Sequence, residues 1–291
     1  MTDTASVSGE LESVSGERPD LVALAERRLS WLECRLIAFV RHTFEPGRLD
    51  RSVRFLQRAI GSTWIHHFTK HLRHVFGIER LPRLDRNKSF IIVSNHRSFF
   101  DLYVVTGHLV RLGLKHRILF PVRAAFFYDS LLGLFVNGVM SFFAMYPPIF
   151  RDRKKASLNP ASIEELGWLL RQGGMLAGIH PEGMRNLTDD PYSFLPAQRG
   201  VGKIIHTAQV TVIPVFINGL VNDLPRQIGS NFDGTGRKIV VVFGAPIDFS
   251  GLMKAPGSPK VHQAIADRTL DAIAELGFEE RLRRAELEKI R

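Results

Sequence analysis

His96 and Asp101, five residues apart, are the pair best suited by type to acid–base chemistry in this chain. An imidazole exchanges a proton near neutral pH, and a neighbouring carboxylate fixes its tautomer and steadies the imidazolium that forms. On a regular helix, turning about 100° per residue, positions i and i+5 do not face each other. The pairing therefore requires His96 at or before a helix start. The flanking residues allow this. Residues 90–93 form a short, apolar, β-branched run that reads as a buried strand, and Ser94-Asn95 suits a turn or helix N-cap. The competing reading is a surface or capping histidine beside an unrelated aspartate, since 11 His and 29 acidic residues produce this spacing by chance.

Three further clusters stand where strands are expected to end, the usual place for ligands in open α/β folds. In Tyr146-Pro-Pro-Ile-Phe-Arg151-Asp-Arg153, Arg151 leaves a β-run and can grip a phosphate or carboxylate with two N–H groups. A solvated loop arginine is the alternative. In His180-Pro181-Glu182-Gly183-Met184-Arg185, proline and glycine bracket a carboxylate in a stiff turn. A catalytic or acceptor-binding role competes there with a surface ion pair. Ile213-Pro214-Val215 carries no reactive group and reads as a strand with an edge proline.

The elements that must position these residues follow from periodicity. Leu21, Ala25, Leu29, Leu32, Leu36 and Phe39 repeat at helical spacing, and Pro46-Gly47 ends that helix. Val53, Leu56, Ile60, Trp64, Phe68, Leu72 and Val75 mark a second amphipathic helix. Further helices are expected over 102–112, 161–172, 201–207 and 261–276, and strands over 90–93, 118–122, 175–179, 210–217 and 238–243. Strands alternating with helices predict an α/β fold, with a mixed, largely parallel sheet layered with helices and preceded by the N-terminal amphipathic pair. Residues 130–150 are uncharged over 21 positions, long enough to span a bilayer. Asn137, two glycines and Pro147-Pro148 instead divide the run into a short helix and a strand, and a re-entrant or lipid-facing segment remains open.

A net charge of +10 favours anionic partners, among them phosphate-bearing ligands, an acidic membrane surface and nucleic acid. No aromatic-rich binding motif or zinc pattern supports nucleic acid. With 21 Phe against 4 Tyr, the aromatic content suits a core or lipid contact. The single cysteine, Cys34, excludes an internal disulfide and a cysteine-based metal site. No charged segment followed by an apolar run opens the chain, so no secretory signal peptide is expected. Between residues 47 and 88, 10 Lys and Arg stand against 3 acidic residues. The helices there read either as a packed bundle with a solvated basic face or as an interfacial pair among lipid phosphates.

In order and spacing the four clusters resemble the glycerolipid acyltransferases, whose best-known members act on 1-acylglycerol-3-phosphate. The matching residues are Asn95-His96 to Asp101, Ile149-Phe-Arg151, Pro181-Glu-Gly-Met-Arg185 and Ile213-Pro-Val215. Val242-Phe-Gly-Ala-Pro-Ile247 resembles the family's closing strand, and the likeness covers roughly residues 75–250. It implies an O-acyltransferase with His96 and Asp101 catalytic and Asn95, Arg151, Glu182, Gly183 and Arg185 binding substrate. It implies no metal and no bound cofactor, with acyl-coenzyme A or acyl–acyl carrier protein as co-substrate. The acceptor would be a lysophospholipid, most simply 1-acylglycerol-3-phosphate. An anionic membrane surface would be a partner, nucleic acid would not, and the chain would sit peripherally or monotopically on the cytoplasmic face. The departures are His180, where the family has an aromatic or aliphatic residue, Met184 in place of Thr or Ser, and a second block lacking its glycine. They put the acceptor in question, leaving room for another lysolipid, another hydroxyl- or amine-bearing lipid, or a non-catalytic lipid-binding role. The expected organisation is a disordered tail over 1–19, membrane-docking helices over 20–76, an acyltransferase domain over 77–278, and a charged helix or tail over 279–291.

Overall fold

Strands built from continuous apolar runs need cover on both faces. The computed structural model describes residues 18–25 and 28–289 and shows how that cover is supplied. The N-terminal part comprises α1 (Leu21–Ala25), α2 (Trp31–His42), α3 (Arg48–Leu56), α4 (Ser62–His67) and β1 (Arg73–Phe76). Then follow β2 (Phe90–Ser94), α5 (Asp101–Arg111), β3 (Arg117–Arg123), α6 (Ala124–Phe127), α7 (Leu131–Ser141) and β4 (Met145–Ile149). The remainder is α8 (Asn159–Arg171), β5 (Met175–Ile179), α9 (Arg199–Ala208), β6 (Thr211–Asn218), α10 (Leu224–Asp233), β7 (Ile239–Phe243), α11 (Ser250–Met253) and α12 (Pro259–Lys289).

The strands form one seven-stranded sheet in the order β1-β7-β6-β2-β5-β3-β4. Among the described residues only β6 and β7 pair antiparallel, and β6 lies between β7 and β2, so Pro214 is inside the sheet and not at the expected edge. Every residue of β2, β5 and β7 is buried. α12 lies across β6 and β7 and against α9, α8 packs on β4 and β5, and α4 packs on α5. The expected α/β class and largely parallel sheet are thus present. Because β6, β2, β5, β3 and β4 run in one direction, their C-terminal ends share one edge of the sheet.

Local chemistry moved several boundaries. The first expected helix breaks before Ser30, which caps α2. Its hydroxyl accepts from the Glu33 amide at 3.2 Å, while the Glu33 carboxylate accepts from the Ser30 amide at 2.9 Å. The second expected helix includes a π turn over Gln57–Gly61 and ends at His67. The buried Gln57 amide holds both the N–H and the C=O of Ile118, at 2.9 and 3.1 Å. The periodicity at Leu72 and Val75 does not continue the helix. Arg73–Phe76 instead pairs with β7, whose edge offers unpaired backbone groups. Residues 73–76, expected among the docking helices, therefore belong to the sheet.

At the other end, residues 279–289 continue α12 rather than forming a separate element. Glu280 and Arg284 are buried on it, and Arg284 bonds Glu280 at 2.8 Å and the Lys238 carbonyl at 2.9 Å. Of the expected tail, residues 1–17 lie outside the described residues, while Arg18 bonds the buried Glu165 at 2.7 and 2.9 Å. α10 had no counterpart among the expected elements. The uncharged 130–150 run divides into α7 and β4. No helix among the described residues is long and apolar enough to cross a membrane.

Candidate active site

β2 ends at Ser94, and the chain then turns through Asn95–Phe100 before α5 begins at Asp101. This puts His96 outside the helix and Asp101 at its first residue, where a carboxylate is favourably placed against the helix dipole. Nδ1 of His96 lies 3.3 Å from Oδ2 of Asp101. The same oxygen accepts from the amides of Arg97 at 2.7 Å and Ser98 at 2.8 Å. An oxygen facing three N–H groups is a carboxylate acceptor, so the imidazole proton sits on Nδ1 and Nε2 keeps its lone pair. Nε2 has no hydrogen-bond partner among the described residues. The His96 side chain is 19% exposed while Asp101 is 1% exposed, so the imidazole meets solvent and the carboxylate does not.

Electrostatics favour the same protonation states. Burial, with the Arg185 and Arg151 guanidinium groups, lowers the His96 pKa to about 4. Burial raises Asp101 to about 6, opposed by His180 and by the Ser98 and Arg97 amides. Near pH 7 His96 is therefore a neutral imidazole beside an ionised carboxylate.

Three neighbouring strand ends complete the cluster. Asn95 is buried, and its side-chain amide pairs with both the N–H and the C=O of Ile217 on β6, each at 2.8 Å. Glu182, two residues past His180 at the end of β5, is 1% exposed. Its two oxygens accept from the amides of His96 and Leu195, both at 2.9 Å. Asn95 and Glu182, expected to bind substrate, bond main-chain groups. Both side chains are occupied with backbone and hold the His96 turn to β6 and β5. Gly183 has φ +69°, and a Cβ there would lie 2.7 Å from Cγ of Gln198. Its carbonyl accepts from the exposed Arg151, which comes from the end of β4. Arg185 is exposed close enough to act on His96. Thus His96, Asp101, Arg151, Glu182, Gly183 and Arg185 gather at one edge, drawn from β2, β4 and β5.

His180 is the residue that sequence reasoning noted but did not count in the site. Its ring stacks on His96 with centroids 3.7 Å apart and planes 6° apart. Nδ1 of His180 donates to the Ser94 carbonyl at 3.0 Å. Burial, with the neighbouring His96, takes its pKa down to about 3. Its place directly after an apolar strand and before Pro-Glu-Gly was the available signal. His96, Asp101 and His180 each bring one potential ligand atom, all within 4.8 Å of one another, a third ligand the sequence had not revealed. The stacking does not suit a metal. An ion held about 2 Å away in the plane of one ring would lie out of the plane of the other. Asn222, in the loop after β6, was also missed. It bonds the Phe99 amide at 3.0 Å and steadies the same turn.

A family model described as Acyltransferase matches residues 72–218, just over half of the chain, from the start of β1 to the end of β6. The chain belongs to the acyltransferase family. The matched span holds all four clusters. The "1-acyl-sn-glycerol-3-phosphate acyltransferase alpha" of Ovis aries is 27% identical over 156 residues, covering 51% of this chain and 48% of that protein. The "Probable 1-acyl-sn-glycerol-3-phosphate acyltransferase" of Mycoplasma pneumoniae is 25% identical over 174 residues, covering 58% and 59%. This family member spans roughly half the length of the curated relatives it matches. The crystal structure of the 1-acyl-sn-glycerophosphate (LPA) acyltransferase PlsC from Thermotoga maritima superposes with a TM-score of 0.51. It covers 88% of this chain and 93% of that one at 18% identity, a likeness of fold.

Proposed function

We propose that this chain transfers a fatty acyl group from an acyl thioester to the hydroxyl of a lysophospholipid, with 1-acylglycerol-3-phosphate giving phosphatidic acid as the leading case. The observation that carries the proposal is the neutral His96, backed by Asp101 and unbonded at Nε2, at the strand-end edge. Nε2 removes the acceptor's hydroxyl proton as its oxygen attacks the thioester carbonyl carbon. Asp101 stabilises the imidazolium. The tetrahedral intermediate collapses, the C–S bond breaks, and the departing thiolate takes the proton back from His96. No covalent acyl-enzyme is needed, because the thioester already carries a good leaving group.

Arg151 and Arg185 are exposed beside this edge and are suited to the acceptor's phosphate. Glu182 and Asn95 hold the turn that presents His96, and the Gly183 carbonyl holds Arg151. The donor is acyl-coenzyme A or acyl–acyl carrier protein, and neither is retained as a cofactor. Because the acceptor and product are lipids, the work is done at an anionic membrane surface, on the cytoplasmic face. The 1-acylglycerol-3-phosphate acyltransferase names of the relatives support this acceptor. Met184, exposed beside Arg185, favours including other lysolipids in the assay.

The test is His96→Ala in purified protein, with labelled acyl-coenzyme A and a panel of lysolipids read by mass spectrometry. The variant should lose about 10²–10⁴ in rate, the usual worth of a general base. Turnover kept within about tenfold of the parent would remove His96 from the scheme.

A further inference from the structure

α7 is amphipathic in the wrong sense for a helix in water. Its inward positions are small or polar: Gly133, Asn137 and Ser141. Its outward positions are large and apolar: Leu131 is 67% exposed, Leu132 70%, Phe135 64% and Val139 54%. A helix on a globular core normally turns its apolar stripe inward. The inversion is held in place by specific contacts. Asn137 Oδ1 accepts from the Met145 amide at 3.2 Å and from the Ser141 hydroxyl at 2.6 Å. A Cβ on Gly133 would lie 2.2 Å from the Phe126 carbonyl oxygen, so only glycine lets α7 sit this close to α6. Phe126 on α6 is itself 57% exposed.

The surroundings identify what covers this face. α6 starts where β3 ends, on the edge that carries His96, and the exposed Arg123 immediately precedes it. Arg151, Arg153 and Lys154 are exposed just past the end of β4 on the same edge. Asp129, between α6 and α7, and Asp152 are the exposed acidic residues of the stretch from 123 to 154. On the other flank Phe143 packs edge-on to Phe39 of α2 with centroids 5.5 Å apart. The apolar surface thereby continues toward α2, whose Trp31 is exposed under the Arg35 guanidinium. An apolar face bordered by cations matches the bilayer interface, with acyl chains beneath phosphates.

We infer that the outward face of α6 and α7 inserts into the acyl-chain boundary of an anionic membrane. The Arg123 and Arg151–Lys154 cations would lie among lipid phosphates, and the His96 edge would face the headgroup layer. The membrane-docking role expected of residues 20–76 passes in its central part to α6 and α7, with α2 at the flank. This inference goes beyond the acyl-transfer proposal and does not need it, because binding is measured without turnover.

The experiment is flotation of the full chain with vesicles of phosphatidylcholine and phosphatidylglycerol, for the parent, His96→Ala and the double variant Leu132→Glu/Phe135→Glu. Both altered side chains are exposed, and thermal denaturation verifies folding. The parent and His96→Ala should float equally, and the double variant should bind about tenfold or more weakly. The double variant should still turn over water-soluble, short-chain substrates within about twofold of the parent. In a Cys34→Ser background, an environment-sensitive dye on Phe135→Cys should shift to the blue on vesicle addition, while the same dye on Leu282→Cys of α12 should not. Equal vesicle binding by parent and double variant, or no flotation of the parent, overturns the inference. So does a parent dimer that the double variant splits without changing vesicle binding, since a second copy would then be the cover. Loss of turnover in His96→Ala with flotation intact leaves both readings standing. An inactive parent that floats defeats only the acyl-transfer proposal.

Discussion

At the end of β2 and along α7, buried polar side chains hold backbone in the same way, yet the two regions leave opposite residues facing out. In the first, Asn95, Glu182 and Asp101 are buried and bonded to main-chain groups, and the group left partly exposed is an imidazole nitrogen. In the second, Asn137 and Ser141 are buried and bonded, and the groups left out are leucine and phenylalanine side chains. A buried polar group is retained because it satisfies backbone that would otherwise be orphaned. What such a scaffold turns outward then indicates its use. An outward base suggests proton transfer, and an outward apolar row on a polar support suggests lipid.

The sharpest test of the first region is Asp101→Asn. It preserves shape but removes the charge that steadies the imidazolium, and should cost on the order of 10² or more in rate. The pH profile should change with it. Asp101 is raised to about 6, so the parent's rate should fall as pH drops through about 6 and the carboxylate takes a proton. Asp101→Asn should lack that limb. A parent rate that stays flat from pH 7 to pH 5 would contradict the pairing.

Glu182→Gln separates a role in holding the His96 turn from a role in binding the acceptor. A glutamine can accept at one oxygen only, so one of the His96 and Leu195 amides loses its partner. The expected cost is about 1–3 kcal/mol in stability, with kcat falling by about tenfold and KM for the acceptor little changed. A rise in KM with kcat intact would restore Glu182 to the acceptor.

The comparison itself is most directly challenged on α7, where the usual rule should reverse. Replacing the inward polar residue with an apolar one, Asn137→Leu, should destabilise by about 1–3 kcal/mol, because the Met145 amide and the Ser141 hydroxyl lose an acceptor. Replacing an outward apolar residue with a polar one, Leu132→Ser, should change stability by no more than about 0.5 kcal/mol. Urea denaturation in the absence of lipid compares the two. The opposite ranking would mean that α7 packs apolar side inward in solution.

Much of the molecule was legible because it is local. The strand cores at 90–93, 175–179 and 239–243 are unbroken apolar runs, and both faces of each are buried. His96 and Asp101 lie on one turn, so their pairing needed only a strand end followed by a helix start. The misread boundaries have physical causes too. Apolar positions at Leu72 and Val75 fit a helix or a strand, and the open edge of β7 chose the strand. The capping box at Ser30 and Glu33 was present in the sequence but lay inside a periodic run that continued across it.

By itself the sequence determined the class of fold, the pairing of His96 with Asp101 and the four clusters that mark the family, each carried by residues near one another in the chain. Tertiary structure alone decided what Asn95, Glu182 and His180 do. Asn95 reaches a β6 backbone 122 residues away, and Glu182 reaches the His96 amide across 86. Parallel strands with adjacent ends bring such residues together, and no local periodicity encodes which strand lies beside which. The direction in which α7 points its apolar row was likewise settled by packing, because a helical stripe has two sides and only its neighbours determine which one faces inward.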